Sequence, residues 1–260
     1  MKNPKNILIS GAGSGIGRAL AIAYSKAGIN LFLCGRNIEN LQTTKILCEE
    51  LKATIHLQII DVTDEKAVRN WIEKITQNYQ LDLVIANAGI SAGTLGGAES
   101  FSQIKKIFST NLDGVLNLIH PAIEKMLMAK KGQIALVSSL AGFRGLPGSP
   151  AYCASKAAIK IYGEALRGNL AQFGIEVNVI CPGYVKTPMT AVNDFFMPFL
   201  VPVEKCAKII KTGLANNKSR IAFPWQLYFL VNLAAFISTK ITDPIFARLP
   251  RKKSLAKTFL

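Results

Sequence analysis

Along most of the chain, apolar runs of four to six residues bounded by turn residues alternate with longer stretches of helical period. The short runs predict strands near 6–10, 30–34, 54–60, 82–86, 132–138, 175–181 and 220–223. The longer ones predict helices near 15–27, 38–51, 64–78, 100–128, 150–172 and 203–216. Runs such as Leu83-Val84-Ile85-Ala86 and Ile134-Ala135-Leu136-Val137 have no polar face, so both sides of their sheet must be covered, as in parallel sheets with helical crossovers. The fold class is α/β: a single Rossmann-type, doubly wound parallel sheet flanked by helices. No linker, repeat or low-complexity tract divides residues 1–223, which read as one domain.

The pattern changes after residue 223. No charged residue occurs from Ile221 to Thr239, and Trp225, Tyr228, Phe229, Leu230, Val231, Leu233, Phe236 and Ile237 crowd this stretch. Its 19 residues reach the lower end of a membrane span. Pro224, Gln226 and Asn232 interrupt it, so a buried or interfacial helix is expected instead. Residues 224–260 thus read as a hydrophobic helix with a basic tail, a membrane-surface or dimer-contact element.

Composition adds a core and a charge. Half of the residues are hydrophobic and 18% are charged, which excludes a disordered chain. The 31 Lys and Arg against 16 Asp and Glu leave +15, favouring phosphates or acidic lipid headgroups as partners. The cations are dispersed apart from Arg248, Arg251, Lys252, Lys253 and Lys257, and no basic–aromatic recognition motif accompanies them, so no nucleic acid is expected. Cys34, Cys48, Cys153, Cys181 and Cys206 form no C-x-x-C pair and lie in apolar surroundings, as reduced thiols do. With no signal-peptide core after Met1, the expected location is cytoplasmic, with peripheral attachment to a membrane as the variant of that reading. His56 and His120 are far apart in sequence and predict no metal site.

Strand 6–10 runs into Ser10-Gly11-Ala12-Gly13-Ser14-Gly15-Ile16-Gly17 and then a helix. Glycines let the backbone pass close to a pyrophosphate, and a helix amino terminus offers unpaired N–H groups and a favourable dipole. The spacing is G-x-x-x-G-x-G, on Gly11, Gly15 and Gly17, with Ile16 in the place of the usual third glycine. At the end of the second strand, Gly35 leaves room and Arg36 supplies a cation for a 2′-phosphate, which favours NADP over NAD. Further on, Tyr152 and Lys156 share one face of a helix that opens with Pro150 after Ser149, a plausible cap. A neighbouring ammonium favours the phenolate of a tyrosine that otherwise ionises near pKa 10, which suits general acid/base work. The spacing alone also fits a surface pair.

In order and spacing, Gly11, Gly15 and Gly17, Asp61, Asn87-Ala88-Gly89, Asn111, Ser138-Ser139, Tyr152 with Lys156, and Pro182-Gly183 resemble the classical short-chain dehydrogenase/reductase family over residues 6 to about 190. The resemblance implies an oxidoreductase with Tyr152 as proton donor or acceptor, Lys156 lowering its pKa and binding the nicotinamide ribose, and Ser139 rather than Ser138 polarising the substrate. Asn111 would hold a water linking Lys156 to solvent. Asp61 with Val62 and Asn87-Ala88-Gly89 would lie beside the adenosine, and Pro182, Gly183 and Thr187 beside the carboxamide. Ser10 replaces the usual Thr and keeps its hydroxyl. The resemblance also implies a homo-oligomer. Phe143, Leu146, the stretch from Tyr184 to Met189 and that from Phe195 to Val201 predict an apolar lid over a lipid-like, aromatic or steroid-like ketone or alcohol. The same aromatics also suit a core or a dimer contact, and a catalytically idle NADP-binding sensor or scaffold remains the competing function.

Overall fold

The strands predicted from the short apolar runs assemble into a single parallel sheet in the computed structural model, which describes residues 1–94 and 97–255. They are β1 (Asn6–Ser10), β2 (Asn30–Gly35), β3 (Thr54–Ile59), β4 (Leu83–Ala86), β5 (Gly132–Val137), β6 (Ile175–Pro182) and β7 (Arg220–Phe223). Their order is β3-β2-β1-β4-β5-β6-β7. The chain leaves β1 towards β2 and returns on its other side at β4, so a crevice opens beyond the carboxyl ends of these two neighbours.

Helices α1 (Gly15–Tyr24), α2 (Ile38–Glu49), α3 (Glu65–Thr76), α4 (Phe101–Phe108), α5 (Gly114–Ala129) and α6 (Pro150–Ala171) follow the first five strands, α4 and α5 both coming after β4. The short α7 (Pro188–Ala191) and the longer α8 (Val203–Ala215) come after β6, and α9 (Trp225–Phe236) and α10 (Thr239–Phe246) after β7. The two-residue strand period divides each apolar run between two cores. Ile7 and Ile9 pack with Leu20 of α1 and Ile210 of α8, whereas Leu8 faces Ile72 of α3 and Leu118 of α5 on the other side.

Three differences from the sequence reading have physical causes. The single helix expected at 100–128 is interrupted by a π turn, Ser109–Asp113. There the buried Asn111 side chain accepts from the Ile90 N–H at 2.8 Å and donates to the Ile90 carbonyl at 2.9 Å and to Ser155 Oγ at 3.0 Å, which offsets the distorted helical bonding. Ser149 precedes α6 as expected, but its hydroxyl does not cap it; Glu99 Oε2 accepts from the Ala151 N–H at 2.9 Å instead. The hydrophobic segment after residue 223 divides into α9 and α10 and then turns back over the carboxyl edge of the sheet. Lys257, the last member of the basic cluster, lies outside the described residues.

Candidate active site

A cleft of about 690 Å³ opens at the crevice. Of the residues singled out in the sequence, Ser10, Gly17 and Asn111 stand behind its wall, and Gly11, Ser14, Gly15, Ile16, Arg36, Asp61, Val62, Asn87, Ala88, Gly89, Ser139, Tyr152, Lys156, Pro182, Gly183 and Thr187 line it.

The three hidden residues build that wall. Ser10 Oγ accepts from the backbone N–H groups of Asn87 and Ala88, both at 3.1 Å, tying the end of β1 to the end of β4. The Asn87 amide donates to the carbonyls of Ser10 and Gly11 at 3.0 and 3.2 Å. A Cβ on Gly17 would sit 2.2 Å from the Gly11 oxygen, and Gly11 itself has φ +64°, so the turn closes only with glycine at both positions. Ser14 precedes α1 without capping it through its side chain, and the first turn contains no acid. The helix therefore presents unsatisfied N–H donors to the cleft, a cradle suited to a pyrophosphate.

At one end of the cleft, Arg36 reaches Asp61 at 3.6 Å, and both remain substantially exposed. Burial works upward on the Asp61 carboxyl, but hydrogen bonds from the Thr63 backbone and hydroxyl and the Arg36 charge outweigh it and hold it below its usual range. Asn37 and Asn40 line the cleft beside Arg36. The Arg36–Asp61 pair is loose and solvated, so the guanidinium can turn to a stronger acceptor at little cost.

At the other end lies the proton machinery. The Ser139 hydroxyl works downward on the pKa of the neighbouring Tyr152 phenol, but burial outweighs it and pushes the phenol up to about 12. Ser139 also reaches the Pro182 carbonyl at 3.3 Å. Ser138 is committed elsewhere, donating to the Lys156 carbonyl at 2.7 Å, so position separates the two serines. Lys156 Nζ donates to the Val137 carbonyl at 2.8 Å and lies 5.9 Å from the Tyr152 ring centre. Burial lowers its pKa to about 8. The expected depression of the tyrosine by Lys156 is thus absent in this arrangement: desolvation outweighs an ammonium that is held on a backbone carbonyl rather than on the phenol oxygen. The two N–H donors of the Asn111 amide are engaged by Ile90 and Ser155, and its oxygen, which accepts from the Ile90 N–H, keeps a second lone pair for a water.

Of the predicted apolar lid, Leu146, Tyr184, Met189, Phe195 and Phe196 reach the cleft. Phe143 does not; it packs edge-on against Tyr228 at 5.5 Å, beneath the Arg220 guanidinium. Val185 and Val201 pair at the base of the lid and close it into a loop. The two histidines lie elsewhere, His56 stacked on Phe32 and His120 beside Tyr162, and among the described residues no cluster of metal-ligating side chains occurs. The five thiols are buried and unpaired, and burial pushes those of Cys34, Cys181 and Cys206 up to about 12.

Sequence reasoning did not find the contribution of the tail. Lys253 accepts at its carbonyl from Gly93 N–H at 2.8 Å, and Leu255 N–H donates to Gln103 at 2.8 Å. This passage carries Lys252 to Ser91 Oγ at 2.9 Å, with its ammonium 5.2 Å from the Tyr152 ring centre. Arg144 also lines the cleft, bonded to Thr242 and Asp243 at 2.9 and 2.7 Å. In sequence Lys252 was one cation among several in a basic tail, and no local pattern marks it.

This geometry agrees with the comparisons. The family model for short chain dehydrogenases matches residues 5–194. The chain belongs to the short-chain dehydrogenase family. An uncharacterized oxidoreductase of Myxococcus xanthus is 34% identical, covering 94% of this chain and 97% of that protein. The 3-oxoacyl-[acyl-carrier-protein] reductase FabG of Rickettsia conorii is 35% identical over 72% of this chain and 75% of its own length. Among solved structures, a variant of actinorhodin polyketide ketoreductase with NADPH aligns with a TM-score of 0.76 at 25% identity, covering 86% of this chain and 97% of that one. A short-chain dehydrogenase from Mycobacterium paratuberculosis bound to NAD shares the fold, with a TM-score of 0.71 at 22% identity over 84% of this chain and 94% of its own. As a member of this family, the protein is an oxidoreductase of carbonyl and hydroxyl groups that uses a nicotinamide dinucleotide.

Proposed function

We propose that this short-chain dehydrogenase is an NADP-dependent reductase or alcohol dehydrogenase acting on an apolar, lipid- or steroid-like carbonyl or hydroxyl compound. The observation that carries the reading is one continuous cleft, with Arg36 at one end and Ser139, Tyr152 and Lys156 together at the other. The ketoreductase solved with NADPH supports the cofactor choice by likeness, and the apolar lid residues support the substrate class. When bound, the dinucleotide supplies or accepts the hydride at the substrate carbon.

The protein's own groups do the rest. With its pKa near 12, Tyr152 enters protonated at neutral pH and can donate to a carbonyl oxygen as that oxygen gains negative charge. Ser139, beside it in the cleft, can turn its hydroxyl from the Pro182 carbonyl to the same substrate oxygen. The charge of Lys156 offsets the phenolate left behind. Oxidation uses the same groups in reverse. The rings of Tyr184 and Phe195, which meet at 6.3 Å, give the cleft apolar walls that suit a hydrocarbon body.

A panel of medium-chain, lipid and steroid ketones, assayed with NADPH and NADH side by side, tests the reading. NADPH is expected to win, and Arg36→Asp to reverse or abolish the preference. The lost charge-assisted contact is worth about 1.5–3 kcal/mol, a factor of ten or more. Equal efficiency of the two cofactors in the unmodified protein would refute the choice, and no oxidation of either cofactor by any ketone would refute the enzyme.

Lys252 adds a second cation to the Tyr152 ring, and a cation in such a position is worth about 0.5–2 kcal/mol. Lys252→Met is expected to reduce kcat/KM by about three- to thirtyfold at pH 7 with NADPH affinity unchanged. Steady-state rates paired with fluorescence titration of NADPH give both quantities; unaltered kcat/KM removes Lys252 from the site.

A further inference from the structure

Helix α9 contains no charged side chain, yet it lies on the outside of the protein. Its inner stripe accounts for its position. Leu227, Tyr228 and Val231 pack on Leu140, Val179 and Cys181, and the Tyr228 hydroxyl accepts from Arg220 at 3.0 Å. The opposite stripe, spaced i, i+4 and i+11, has no such partner: Trp225 is 72% exposed, Phe229 62% and Phe236 88%. Ile241 and Ile245 extend it along α10. Leu230 and Leu249 are exposed and at the same time line the cleft, as does Phe196 from the lid, so the apolar surface runs up to the mouth of the active site. Exposed apolar side chains of this number and size along α9 and α10 mark an interaction surface rather than scattered surface residues.

Charge decides what covers it. From Ser238 to Leu260 there are six Lys and Arg against the single acid Asp243, and Asp243 is engaged by Arg144. Lys240 and Arg248 are exposed on and just after α10. In a two-fold contact with a second copy, this flank would face its own image on a chain that already carries +15. An anionic bilayer instead supplies hydrocarbon for the stripe and counter-charge for the flank. At 12 residues α9 is too short to span a bilayer, and no helix among the described residues is long and apolar enough to cross one. We infer that α9, α10 and the lid dock in the plane of an anionic membrane surface, with the outer stripe in the acyl boundary and the cleft mouth opening onto the lipid.

Deleting the whole segment would not isolate this role, because Leu227, Val231 and Lys252 belong to the cleft. The triple variant Trp225→Ser, Phe229→Ser, Phe236→Ser changes only residues outside it. The unmodified protein is expected to sediment at low salt with vesicles of phosphatidylcholine and phosphatidylglycerol, and much less with phosphatidylcholine alone. The triple variant should lose at least about tenfold in vesicle partitioning, with melting temperature and NADPH affinity preserved. Lys240→Gln with Arg248→Gln, which removes no apolar group, should weaken binding about fivefold per charge and flatten its salt dependence. The inference is overturned if the unmodified protein ignores anionic vesicles at low salt or if the triple variant binds them as well as the parent. A dimer that the triple variant dissolves would assign the stripe to a second copy and overturn it too. None of these readouts needs turnover, so they stand or fall separately from the proposed chemistry.

Discussion

Tyr152→Phe is expected to lower turnover by about 10²- to 10⁴-fold while NADPH affinity stays nearly unchanged. The half-buried ring packs equally well without its oxygen, so the fold and the dinucleotide cradle, which rests on Ser10, Gly11 and Asn87 at the far side of the cleft, lose nothing. What is lost is the proton. Ser139 cannot supply it, because a serine hydroxyl is a far poorer acid than a phenol. Stopped-flow measurement of NADPH oxidation with the best ketone of the panel checks the rate, and fluorescence titration checks the affinity. Retention of most of the parent rate would remove Tyr152 from the chemistry.

Ketone reduction is expected to proceed fastest below pH 8 and to fall as pH rises through about 8, where the buried Lys156 ammonium gives up its proton. The tyrosine does not cause this limb. Its phenol, pushed up to about 12, stays protonated throughout the range. The sign follows from which form works: the charged lysine offsets the developing phenolate, and the neutral one does not. The same burial has an opposite effect on stability. An ammonium whose folded pKa is depressed from 10.5 to about 8 leaves the unfolded chain holding more protons between those values, so stability rises with pH across that window. Lys156→Met is therefore expected to melt a few degrees higher than the parent at pH 7 while losing most of its turnover and the alkaline limb with it. Calorimetry and a pH–rate profile separate the two effects; a limb near pH 8 that survives in Lys156→Met would assign it to another group.

Much of the site was legible because short motifs carry their own backbone geometry. The glycines of the loop after β1 and the four-residue spacing of Tyr152 and Lys156 specify close approach and a shared helix face whatever surrounds them. The separation of Ser139 from Ser138 was legible only through resemblance; its cause, the bond from Ser138 to the Lys156 carbonyl, is a contact across 18 residues. The state of the Lys156 charge was not legible at all. Spacing brings two side chains to one face, but desolvation and the Val137 carbonyl decide their pKa values, and both depend on what the rest of the chain places around them.

The strand periods, the covered parallel sheet and the phosphate loop were determined by the sequence by itself, since alternation of apolar residues and the conformational freedom of glycine act over a few neighbouring positions. Tertiary structure alone decided the π turn that holds Asn111 against Ile90, the capping of α6 by Glu99 and the return of the tail that sets Lys252 on Tyr152. Each depends on a hydrogen bond or charge contact between groups 21 to 100 residues apart, and such a contact forms only after the sheet has brought its two ends together.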